Sequence, residues 1–158
     1  MAVFSEADST EDVIVLAWIL EEGSRRFYDG LVSMVQDKDA KALYESLVLA
    51  ESGHKEILAR IYRDKTGREF TPHVAGQDRS LDLMEGGTSV NDALKWAEGK
   101  STIDLYQFSM SAEINAYDLH LKLADRMDEV AWKDVFRKLA LEEETHLTRM
   151  GELLGKQF

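Results

Sequence analysis

The chain has no cysteine among its 158 residues, which excludes disulfides, thiolate metal sites and a cysteine nucleophile. Proline occurs once, as Pro72. Basic residues are few: 19 Lys and Arg stand against 30 Asp and Glu, and the formal charge of −11 disfavours nucleic acid and anionic membrane surfaces as partners. Long apolar runs are missing too. The longest near the start, Val13 to Leu20, is too short to span a bilayer, and Met1 to Asp12 is acidic where a signal region would be positively charged. A cytoplasmic location is the expectation. What is present is 44% hydrophobic and fits one domain, 1–158, with a single core.

Against that background one pattern repeats. Glu51-Ser52-Gly53-His54 and Glu143-Glu144-Thr145-His146 are both Glu-x-x-His and lie 92 residues apart. Thirty residues before each motif stands another Glu, Glu21 and Glu113, again 92 apart. With 16 Glu and 4 His in the chain, chance predicts about 0.4 such motifs. Two are found, and they use half of the histidines.

The apolar periodicity says where these side chains lie. Steps of three and four residues give Ala40, Leu43, Leu47, Glu51, His54, Leu58, Ile61 on a second helix and Trp132, Val135, Leu139, Glu143, His146, Met150, Leu153 on a fourth. A first helix reads Ile14, Ala17, Glu21, Ser24, Tyr28, Leu31, Val35, and a third reads Ile103, Tyr106, Met110, Glu113, Tyr117, His120, Ala124, Met127. The ligand-type residues thus interrupt seams that face a core. Four unpaired carboxylates in one core would each cost several kcal/mol on burial, and no Lys or Arg occupies a seam position. Metal cations are the natural partner. Surface polar groups, the competing reading, do not account for seam positions shared at one displacement.

Glu and His three apart share a helix face and can reach one ion; a Glu from each remaining helix completes two adjacent coordination spheres. Glu21, Glu51, His54, Glu113, Glu143 and His146 are the candidate ligands. Carboxylate oxygen with one imidazole per metal suits iron first and manganese second, better than a closed structural zinc site.

On these residues the chain, from about Val13 to Leu154, resembles the ferritin-like superfamily and, within it, the rubrerythrin-type diiron-carboxylate proteins. The stretch Glu21-Glu22-Gly23-Ser24-Arg25-Arg26-Phe27-Tyr28 is similar to that family's first helix. The resemblance implies an all-α, ferritin-like four-helix bundle with two irons per chain, assembled as a homodimer. Two features of the family are missing. The additional Glu one turn after the third-helix ligand is replaced by Ala116, and the rubredoxin-like four-Cys iron site has no counterpart. Electrons therefore have to come from a separate donor protein.

The bundle is expected to comprise helices over about 10–36, 38–66, 102–127 and 129–154, with a crossover over 67–101 holding Pro72, Gly76, Gly86 and Gly87. Ser9 and Ser101, each three residues before an acid, mark helix starts, and Gly67 marks a helix end. A short helix over 89–98 either covers the core or forms a dimer contact. Tyr28 and His120 occupy equivalent places, seven residues after Glu21 and Glu113. Tyr28 is either a core tyrosine or a partner of a ligand carboxylate and electron relay; His120 is structural, a hydrogen-bond donor to a ligand, or a further ligand. Gly23 and Gly53 beside the ligands reflect close packing or room for a small oxidant. Glu22, Glu142 and Glu144 point about 100° away from their ligand neighbours, toward solvent or the back of the ligands. His73 has no assigned role.

Three functions fit: reduction of peroxide or O2, iron oxidation and storage in a hollow shell, or a non-catalytic metal-binding partner module. In all three, Glu51→Ala or Glu143→Ala is expected to abolish metal binding while preserving helicity. Metal analysis alongside far-ultraviolet circular dichroism checks this; retained stoichiometry in both variants would refute the site.

Overall fold

The computed structural model describes residues 8–71 and 81–158. Five α-helices follow in order: α1 Thr10–Met34, α2 Lys38–Thr66, α3 Val90–Ala97, α4 Thr102–Arg126 and α5 Val130–Gly155. Among the described residues there is no strand beyond an isolated bridge between Met84 and Thr88. Pro72, His73 and Gly76 lie outside the described residues, as do the first seven residues of the acidic start.

Side-chain caps start helices at Ser9 and Ser101, as the sequence indicates, and at Asp37. Ser9 accepts the Asp12 N–H at 3.1 Å, and Asp37 accepts the Ala40 N–H at 2.8 Å. A complete reciprocal capping box forms at Ser101 and Asp104. Gly67, in the left-handed region at φ 69°, ends α2. Several boundaries shift by one or two residues. α1 stops at Met34, two residues early, because Val35 turns extended and buries its side chain in the core while its N–H still bonds the Leu31 carbonyl. α5 runs to Gly155, with the chain's last residues hydrogen-bonded back onto the final turn.

Short connections pair α1 with α2 and α4 with α5 as two hairpins, and the long crossover joins them. The apolar side chains form two clusters at opposite ends of the bundle. One holds Phe27, Leu31, Leu43, Leu47, Leu105 and Met150. The other holds Val13, Leu20, Leu58, Leu119, Leu123 and Phe136. Between them, at mid-height on all four long helices, lies a belt of buried polar residues that includes every interrupted seam position except the partly exposed His146.

The crossover returns over this belt. Gly23 of α1 is where it comes closest: a Cβ there would sit 1.8 Å from the Leu83 carbonyl oxygen and 2.6 Å from the carbonyl carbon. The close approach is therefore to the crossover backbone and not to a neighbouring helix. Gly53 is different, since a Cβ there would meet nothing within 4 Å. Packing does not explain that glycine, which leaves the α2 surface open beside His54. Helix α3 buries Val90, Ala93 and Ala97 in the first cluster, so it covers the core. No helix among the described residues is long and apolar enough to cross a membrane.

The two glycines give opposite expectations. Gly23→Ala should destabilise by about 1–3 kcal/mol through overlap with backbone, whereas Gly53→Ala should stabilise by about 0.5–1 kcal/mol through helix propensity. Chemical denaturation of both variants checks this, and equal signs would contradict the placement of the crossover.

Candidate metal centre

Each long helix delivers its ligand-type residues to the same level. On α2, one turn places Glu51 and His54 together; on α5, one turn does the same for Glu143 and His146. Glu21 of α1 and Glu113 of α4 face them. His54 Nδ1 lies 3.1 Å from Glu143 Oε1, 3.3 Å from Glu21 Oε2 and 3.6 Å from Glu51 Oε2. His146 Nδ1 lies 3.0 Å from Glu113 Oε2 and 3.1 Å from Glu143 Oε2. Each imidazole thus presents one nitrogen to a set of carboxylates.

The donor atoms converge in two groups, Glu21, His54, His120 and Glu143 in one and Glu113, Glu143 and His146 in the other, each with its atoms within 4.8 Å of one another. Glu143 belongs to both, one oxygen to each side. Five of the six candidate ligands fall in these groups. Glu51 stands beside them, hydrogen-bonded to Glu21.

His120 is drawn into the first group. Its Nε2 lies 2.8 Å from Glu21 Oε1 and 3.5 Å from Glu143 Oε1, and the ring is fully buried. Tyr28 plays the related part in the other half of the repeat, donating its hydroxyl to Glu113 Oε1 at 2.5 Å. The residue seven after each mid-helix Glu therefore reaches the mid-helix Glu of the opposite hairpin. Tyr28 also stacks on Tyr44, which hydrogen-bonds Ser109. On the outer side, Glu142 of α5 meets His54 Nε2 at 2.8 Å, although its own side chain is half exposed. Glu22 pairs with Arg25 and Lys55, and Glu144 is exposed.

Protonation in the metal-free protein follows from this crowding. Burial alone would raise the Glu21 carboxyl, but a hydrogen bond from Glu51 and the neighbouring His54 and His120 hold it well below its usual range. Glu51, raised by burial and by the Glu21 charge, keeps its proton. Glu113 and Glu143 repeat the arrangement. Burial and the Glu143 charge push Glu113 up to about 8, while Glu143 is held low against its own burial by Glu113 and the three histidines around it. Burial would lower His120 and His146, yet their carboxylate partners raise both to about 9, and His54 rises further. Two acid–carboxylate pairs and three imidazolium rings thus occupy the belt, with protons neutralising it.

A divalent ion on each side fits these residues better than protons do. Glu21 Oε1, Glu51 Oε2, Glu143 Oε1 and both ring nitrogens of His120 are buried without a hydrogen bond. The His120–Glu21 contact is close but not aligned as a hydrogen bond. Buried polar atoms without partners are rare and costly. Oxygen and imidazole donors pointed inward from four helices are what iron or manganese takes. Outside the ions, Glu142 would accept the His54 Nε2–H and fix Nδ1 as the donor.

Sequence reasoning missed one buried acid. Glu85, in a 3-10 turn of the crossover at Glu85–Gly87, is 5% exposed and lies within electrostatic reach of Glu21, His120, Glu143 and Glu113. It stands on no periodic seam, so no spacing could have signalled it.

Residues 12–154 match the family model described as Rubrerythrin. Among solved structures, the chain is similar to a hypothetical protein from Pyrococcus furiosus, with a TM-score of 0.67 and 23% identity over 94% of this chain and 92% of that one. That likeness is one of fold. No curated protein matches the chain.

The raised groups set a pH signature. His120 and His146 gain stability from their partners that is complete below an unfolded value near 6.5 and is lost as pH rises through about 9; Glu113, raised from 4.5 to about 8, acts with the same sign. Thermal melting should therefore show the metal-free protein weakening between pH 6.5 and 9. With manganese(II) bound, the same interval should show no weakening, since the metal needs these groups deprotonated. Parallel pH profiles would contradict the assignment.

Proposed function

Because this chain belongs to the rubrerythrin family, we propose that it is a non-haem diiron oxidoreductase that reduces hydrogen peroxide or O2 to water. The observation that carries the reading is Glu143, whose two oxygens face two separate groups of donors. That is a site for two ions sharing one carboxylate. Iron held there would supply the electrons for reduction, with an external donor as their source.

The chain's residues hold and tune the centre. Glu21, His54, His120 and Glu143 would hold one ion, Glu113, His146 and Glu143 the other, and Glu51 is placed to join once its proton is displaced. Tyr28 fixes the Glu113 carboxylate, and Glu142 fixes the His54 ring. The apolar clusters above and below exclude water along the bundle axis. We take the side of α2 and α5 as the approach for a small oxidant, because a Cβ at Gly53 would meet nothing within 4 Å and His146 is partly exposed. The 158 residues contain no thiolate site, so the donor lies outside them. Manganese is the second choice of metal, and a homodimer the proposed assembly.

Anaerobic iron(II) loading followed by stopped-flow mixing with peroxide or O2 tests this. Two irons per chain, oxidised faster by peroxide than by O2, are expected. Faster reaction with O2 and continued iron uptake would transfer the protein to iron storage, and a redox-silent site would make it a structural or partner-binding module.

A further inference from the structure

The mechanism above leaves Glu85 unused, and its burial is otherwise unexplained. Its side chain is sealed beneath the crossover with Oε1 lacking any hydrogen bond. An acid there costs more than a Leu or Met of similar size would. The backbone around it is built to bring it in. Gly23 lets the preceding residues Leu83 and Met84 lie directly on α1. The Glu85 N–H points to the Ser24 hydroxyl at 3.5 Å. Met84 and Thr88 pin the two ends of the turn, the Met84 N–H bonding the Thr88 carbonyl at 2.9 Å and the Gly87 N–H the Met84 carbonyl at 3.0 Å. Gly86, at φ 84°, reverses the chain within it, in a backbone conformation that favours glycine, with the Asn115 side chain of α4 2.9 Å from where a Cβ would sit.

The charges the Glu85 side chain feels are those of Glu21, His120, Glu143 and Glu113, from three different helices. The α4 seam on that side offers only the small Ala116 one turn beyond Glu113. Among the described residues, no Lys or Arg is buried to satisfy the acid.

We propose that Glu85 is a further oxygen ligand of the dimetal centre, delivered by the crossover instead of by a bundle helix. The inference rests on the two-metal reading of the site. It makes the crossover part of the metal site and supplies a fifth carboxylate to the two ions. It also explains why the glycines and the Met84–Thr88 clamp flank this one residue.

Manganese(II) and cobalt(II) titrations of the full chain and of Glu85→Gln test it, by calorimetry and by the cobalt ligand-field spectrum. The amide keeps the size of the side chain while removing its charge, so the metal-free variant should melt like the parent. Expected are a loss of about tenfold or more in affinity at one of the two sites and a changed cobalt spectrum, with Glu85→Asp partly restoring both. Two ions bound with unchanged affinity and spectrum in Glu85→Gln would overturn the proposal and leave the centre standing. No metal bound by the parent would overturn both. Should the variant not fold, a crystal structure of the manganese-loaded parent decides: a Glu85 oxygen coordinated to an ion supports the assignment, and a side chain turned away from both ions refutes it.

Discussion

Five carboxyl groups, those of Glu21, Glu51, Glu85, Glu113 and Glu143, are buried in one bundle together with His54 and His120, and among the described residues no Lys or Arg is buried with them. Positive charge has to be found for this core, and without metal it can come only from protons. The paired shifts show that arrangement: Glu51 and Glu113 hold protons against their ionised partners Glu21 and Glu143, and the histidines are held as imidazolium. Two divalent ions would displace these protons and meet the same demand with stronger, directed bonds. Other features of the bundle are consistent with protecting that exchange.

The core is split to make room for it. Apolar clusters close both ends of the bundle, so that the polar belt is held between two packed plugs and each hairpin can fix its own Glu and Glu-x-x-His set. The halves are tied across the belt by Tyr28 reaching Glu113 and His120 reaching Glu21. Stability and metal affinity are coupled in such a design, since a ligand that binds only the folded state adds to its stability. A buried Glu that would be a flaw in an ordinary core becomes the reason for this one.

Much of this was legible in the sequence because it is periodic. The seam of α2, from Ala40 through Glu51 and His54 to Ile61, and its copy 92 residues later specify helix, face and height at once. Caps at Ser9 and Ser101 and the stop at Gly67 are local chemistry and were equally readable. What was not legible depends on tertiary placement. Glu85 reaches the site through an irregular turn, Glu142 reaches His54 across a helix–helix gap despite lying off the seam, and Gly23 answers to a carbonyl 60 residues away in the chain. His120 was visible as the counterpart of Tyr28, but only the geometry places its ring beside Glu21 and Glu143.

The central claim is that the belt holds two metal ions sharing Glu143. Anomalous scattering from crystals soaked in iron(II) under anaerobic conditions tests it most directly. Two peaks are predicted, one among Glu21, His54 and His120 and the other between Glu113 and His146, with Glu143 touching both. A single peak, or none within the belt, would contradict the account.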